Sequence, residues 1–161
     1  MHNKFSPGLF RFLGVLLLSA PTVCLAQEPV HAETTQLIAF VKKAAALVES
    51  KGVRACGDFK KQGSQWFRED IYVFVFDLKG LSVCHPANPE LEGQSILDYQ
   101  DPTGKFVTHD MIDMLKSREA GWIDYMWPKP GETKPSRKSS YIMRGRLDGK
   151  TLIIGSGFYV N

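Results

Sequence analysis

Between Ile71 and Pro86 the sequence reads IYVFVFDLKGLSVCHP, and this stretch limits what the chain can fold into more than any other. Tyr72, Phe74 and Phe76 alternate with Ile71, Val73 and Val75, which is the period of a β-strand. Both sides of that pleat are apolar, so the strand must be covered on each face; a strand with one wet face would show a polar residue at every second position. Asp77-Leu78-Lys79-Gly80 supplies a turn, Leu81 to Cys84 a second strand, and His85-Pro86 the point where proline stops the ladder. The fold is expected to be organised around a hairpin held between two layers.

The first 26 residues stand apart from that domain. Lys4 and Arg11 give a positive start, LGVLLLS an apolar run, and Pro21 with Cys24-Leu25-Ala26 a break and small residues at a signal-peptidase site. The expectation is a signal peptide over 1–26, a single domain over 27–161, and a periplasmic or secreted protein, with an uncleaved N-terminal anchor as the alternative. Val23 is too large for Cys24 to be a lipidation site. No later segment approaches the roughly 20 apolar residues of a membrane-spanning helix.

Charge narrows the partners. The chain carries 20 Lys and Arg against 17 Asp and Glu. The leader takes two of the basic residues and no acidic one, which leaves a nearly neutral domain without the basic footprint of a nucleic-acid binder. Removing the leader also leaves two of the three cysteines, Cys56 and Cys84, a candidate disulfide in an oxidising compartment; two separate buried thiols are the alternative.

Ahead of the hairpin, Leu37, Phe40, Val41, Ala44, Ala45 and Val48 fall at helical spacing, and a second short helix is expected over 53–61. After it, residues 86–104 hold three prolines and two glycines and read as a long loop, of the kind that often binds or covers a ligand. Val107, Met111, Met114 and Leu115 then return to helical spacing. Three strands are expected to close the domain: GWIDYMW, SRKSSYIMRGR and KTLIIGSGFYV, the last two joined by the hairpin signal Asp148-Gly149. The sum is an α+β domain with a five-stranded antiparallel sheet, N-terminal helices on one face, and a loop-plus-helix cover over a pocket on the other.

The segments YVFVFDLKGLSVCHPANPELEGQ, DPTGKF, GWIDYMWPKP, KSSYIMR and GSGFYV resemble those of single Cache domains, the PAS-like extracellular sensor modules. The resemblance runs from Thr34 to Val160 in order and spacing. It implies a small-molecule ligand, often a short carboxylate, and a chemoreceptor or histidine kinase context. Nothing follows Asn161, so a stand-alone exported form is expected, signalling through a partner such as a membrane receptor or histidine kinase, or scavenging its ligand.

A carboxylate withdrawn from water needs charged or strong donors in a mostly apolar pocket. Lys138 can supply the cation, Tyr125, Tyr141 and Tyr72 neutral donors, His85 a further polar group where the second strand opens, and Trp127 or Trp122 an apolar wall. Trp122 and Tyr125 lie on opposite faces of an unbroken strand, so both reach one pocket only across a bulge. No nucleophile elbow, phosphate loop or haem motif occurs, and Cys84-His85 is half a metal site, so neither catalysis, cofactor nor metal is expected. The alternative reading is a protein-interaction module that docks on a membrane receptor without a small ligand.

Overall fold

The computed structural model describes residues 28–160; the leader expected over 1–26 lies outside them. The chain begins with the long helix α1 (Glu28–Lys51), followed by a 3-10 turn and the short helix α2 (Ala55–Phe59). Two short strands, β1 (Phe67–Arg68) and β2 (Ile71–Tyr72), pair with each other. Then come β3 (Phe74–Asp77), β4 (Ser82–Cys84), a loop with one 3-10 turn, α3 (Val107–Ser117), β5 (Ala120–Pro128), β6 (Pro135–Leu147) and β7 (Lys150–Tyr159). The main sheet has five antiparallel strands in the order β4-β3-β7-β6-β5.

The strand expected over 71–76 is divided at Val73. Its first part pairs locally with β1, while its second enters the main sheet against β7 with Phe74 opposite Gly155. Alternation continues through the break, so Tyr72, Phe74 and Phe76 share one face and Val73 and Val75 the other. Each face is buried, as the two-sided apolar pattern requires.

The Val73 face packs on α1 and α2 through Val41, Ala44, Val48, Ala55 and Phe59. The Tyr72 face packs on α3 and the loop through Ile96, Val107, Met111 and Leu115. Two glycines permit close approaches that position the second face. A methyl group on Gly155 would stand 2.3 Å from the Phe74 ring, so glycine lets that ring lie flat across β7. Gly80 combines φ of 82° with 2.6 Å from such a methyl to Leu97 Cβ, which brings the loop back onto the hairpin turn.

The loop is latched along the outer edge of the sheet. One Asp101 carboxylate oxygen accepts hydrogen bonds from the backbone N–H groups of Thr103 and Lys105 and from the Thr103 hydroxyl. The other accepts from the Met126 N–H of edge strand β5 at 2.9 Å, and Lys105 Nζ donates to the Asp124 carbonyl at 2.7 Å. Edge groups that would face water are thereby paired, and the cover is fixed over the Tyr72 face. Among the described residues no helix is long and apolar enough to cross a membrane.

Candidate functional site

The register of the sheet determines which side chains meet. The two-residue turn Asp148-Gly149, with φ of 49° and 76°, pairs Leu147 with Lys150 and, counting outward, Lys138 with Tyr159. On the other side Lys138 pairs with Tyr125. Lys138, Tyr125 and Tyr159 therefore project from adjacent strands on the face that carries Tyr72 and Phe74.

Lys138 is fully buried there. Its Nζ lies 3.8 Å from the centre of the Tyr72 ring, 5.0 Å from that of Tyr159 and 5.8 Å from that of Phe74. Among the described residues four buried side-chain polar atoms have no hydrogen-bond partner, and Lys138 Nζ and the Tyr72 hydroxyl are two of them. A buried donor left unpaired costs about 1–3 kcal/mol, so two in one cluster indicate a site made for something else. Burial, opposed by the carboxylate of Asp70, drives the Lys138 pKa well below the ordinary lysine range, and burial raises that of Tyr72. Asp70 is itself paired with Lys129 at 3.4 Å.

His85 completes the arrangement where β4 ends and Pro86 diverts the chain. Its Nδ1 accepts a hydrogen bond from the Asn88 N–H at 3.0 Å, which assigns the proton of the neutral ring to Nε2 and makes that nitrogen a donor. The ring packs against Tyr72 and Trp127, with centroids 5.3 and 5.6 Å away. Burial, and then the charge of Lys138, lower its pKa to about 3. Trp127 is buried beside it, and Tyr99 from the loop meets Trp127 edge to face at 4.9 Å. The Tyr125 hydroxyl is bonded to Ser140 Oγ at 3.0 Å.

A cavity of about 10 Å³, the size of one water molecule, lies between this face and the cover, lined by Phe76, His85, Thr108, Tyr125 and Trp127 among others. Of the buried polar side chains, His85, Tyr125 and Thr108 line it, while Lys138 and Tyr72 lie beside the Tyr125–His85 cluster and not on the cavity wall. Among the described residues no three His, Cys, Asp and Glu side chains gather to hold a metal ion.

Of the residues singled out in the sequence, Lys138, Tyr125, His85, Trp127 and Tyr72 are brought together. Tyr141 and Trp122 are not. Tyr141 is three residues from Lys138 on a regular strand, so it points to the opposite face, and it pairs there with Trp122 at 5.5 Å between ring centroids. β5 runs from Ala120 to Pro128 in unbroken register, so the bulge that would have carried Trp122 into the pocket is absent. The sequence reading missed Tyr159, whose hydroxyl donates to the Pro128 carbonyl at 2.5 Å, and Tyr99. The Asp148-Gly149 turn was signal enough to find Tyr159 by counting register. Cys56 and Cys84 are present as free thiols.

His85 gives the site a pH signature. A base whose folded pKa lies below its unfolded value stabilises the fold above the unfolded pKa, and that stability is lost as the unfolded chain takes up a proton the folded one refuses. Between about pH 6.5 and the folded value of about 3, stability is expected to fall by about 1.4 kcal/mol per pH unit from this residue. Urea unfolding across that window should show a shallower slope in His85→Gln than in the parent.

A five-stranded antiparallel sheet with helices behind it and a loop-and-helix cover in front defines the class of PAS-like sensor modules. The chain belongs to the Cache domain family, whose profile matches residues 61–161. It is 34% identical over 128 residues to the methyl-accepting chemotaxis protein McpP of Pseudomonas putida, an alignment covering 73% of this chain and 23% of that one. The chain thus spans about a quarter of that relative's length. Among solved structures it superposes on a periplasmic sensor domain of a chemotaxis protein with a TM-score of 0.71 at 30% identity, covering 83% of this chain and 99% of that one. A Cache chemosensory domain solved for its recognition of carboxylic acid gives 0.70 at 30% identity, covering 84% and 99%.

Proposed function

We propose that this chain is an exported, non-catalytic sensor domain, with a leader over 1–26 and a Cache domain over 27–161, that captures a short organic acid and passes the signal to a membrane receptor or kinase. The observation that carries the reading is Lys138: a fully buried amine with no acceptor among the described residues, beside an unpaired phenol and a histidine that donates. Such a set lacks one thing, an anion that accepts several hydrogen bonds. A carboxylate that reached Lys138 and Tyr72 would satisfy both, and its alkyl end would meet the aromatic rings of the same face, Phe74 and Phe76 among them.

The relative that recognises carboxylic acid supports the ligand class, and the relative from a periplasmic sensor supports the compartment. At the size of one water molecule the cavity does not hold an acid as it stands, so binding requires side chains of this face and its cover to repack.

A thermal-shift and calorimetric screen of acetate, propionate, lactate and pyruvate tests this, with the uncharged amides acetamide and propionamide as controls. At a hundredfold excess over Kd a bound acid stabilises the fold by about 2.7 kcal/mol, a readily visible shift. At least one acid should give it and neither amide should. Equal response to acid and amide, or none to any short carboxylate, removes the basis of the reading.

A further inference from the structure

On the face of the sheet away from the pocket, two cysteines from separate elements meet. Cys56, half-buried, lies on α2, and Cys84, fully buried, ends β4 immediately before His85. Cys56 Sγ is 3.9 Å from the carbonyl of Val83, the residue before Cys84, and Cys56 packs against the core cluster that contains Cys84. A second tie joins the same two elements. Lys60, one turn beyond Cys56, is bonded to Glu92, and the other oxygen of Glu92 accepts the His85 N–H at 2.9 Å. The α2 side of the molecule is thus held to the corner from which His85 enters the pocket.

We propose that Cys56 and Cys84 form a dithiol that a disulfide-bearing oxidant closes into an intramolecular disulfide, clamping α2 to the His85 corner. Cys56 is the entry point. Its sulfur is the more accessible, and the hydrogen bond from Cys84, aided by the nearby Lys60 ammonium, lowers its pKa. The Cys56 thiolate attacks one sulfur of the oxidant's disulfide, forming a mixed disulfide and releasing the other oxidant sulfur as a thiolate. Cys84 then gives up its proton and attacks Cys56 Sγ, expelling the second oxidant sulfur. The chain loses two electrons and two protons, and the oxidant gains both as a pair of thiols. The new bond closes a loop of about 28 residues, which by the chain-entropy argument raises the melting temperature on the order of 10 °C. This inference does not depend on the identity of the ligand.

The test uses the full chain recovered from an oxidising compartment, denatured in acid and alkylated without reductant. Expected are blocked Cys56 and Cys84, a mass two hydrogens below that of the reduced protein, and a linked peptide containing those two residues. Reduction should lower the melting temperature of the parent and leave that of Cys56→Ser unchanged, a variant at the half-exposed position that does not disturb the buried one. Two alkylatable thiols after incubation with an oxidised dithiol, or pairing of Cys56 with Cys24 or with a second chain, overturn the proposal.

Discussion

Replacing Lys138 with methionine is expected to abolish carboxylate binding and at the same time to raise the melting temperature of the empty protein. Both outcomes follow from one fact: the amine sits in the core with aromatic rings around it and no acceptor among the described residues. Methionine has a similar unbranched reach and fills the same channel without a donor to satisfy, so the empty fold should gain about 1–3 kcal/mol. The ligand loses its charged partner, and removing one member of a buried, hydrogen-bonded charge pair costs about 2–5 kcal/mol, a fall in affinity of about thirtyfold to several thousandfold. Tyr72→Phe provides a graded comparison, because it keeps the ring under the amine and removes only the phenol; its affinity should drop by about tenfold. Calorimetric titration and scanning calorimetry read the two effects separately. A methionine variant that binds within a few-fold of the parent would show that the ligand does not meet this amine.

The same residues show how far the sequence could be read. The two-sided apolar pattern of residues 71–76 fixed a sheet covered on both faces, and that is what the structure contains. Its division at Val73 was not legible, because the break arises from which partners the two halves find, β1 for one and β7 for the other, and not from any change in the alternation. Lys138, Tyr125 and Trp127 were singled out on the motifs that resemble the Cache family, His85 by its place where the second strand opens into the loop, and Tyr72 by its type and strand. Tyr141 was misplaced by neglecting a rule the sequence itself obeys: an odd spacing from Lys138 puts it on the other face, where it packs with Trp122. Tyr159 was reachable through the two-residue hairpin that fixes its register with Lys138. The register of β5 against β6 was not, since the six-residue connection from Lys129 to Lys134 does not dictate it. The Asp101 latch and the Tyr99 contact with Trp127 join residues about 25 positions apart across an irregular loop, and no local pattern encodes such a meeting.

Binding of the acid is expected to draw a proton from solvent in the pH range between the empty-site and bound-state pKa of Lys138. In the empty site burial holds Lys138 toward its neutral form, with a pKa well below the ordinary range. A carboxylate set against it favours the ammonium, so the bound-state pKa lies higher and the proton must come from outside. The other groups facing the amine do not compete. Tyr72, Tyr125 and Tyr159 are pushed up by burial and stay protonated. His85 is lowered to about 3 and stays neutral, and Asp70 is engaged with Lys129. Affinity should therefore fall about tenfold for each pH unit above the empty-site pKa of Lys138, until the bound-state value is reached. The stability of the empty fold has the sign of a depressed base: the contribution of Lys138 is complete above the ordinary lysine range near about pH 10.4 and is lost as pH falls toward the folded value. Ligand offsets that loss, so the thermal shift it produces should grow as pH is lowered, up to the point where the ligand's own carboxyl takes up a proton. Titrations in two buffers of different ionisation enthalpy measure the uptake directly. Intact binding with no buffer dependence at any pH would mean that the amine keeps one charge state in the empty and the filled pocket, and that the ligand does not draw a proton onto it.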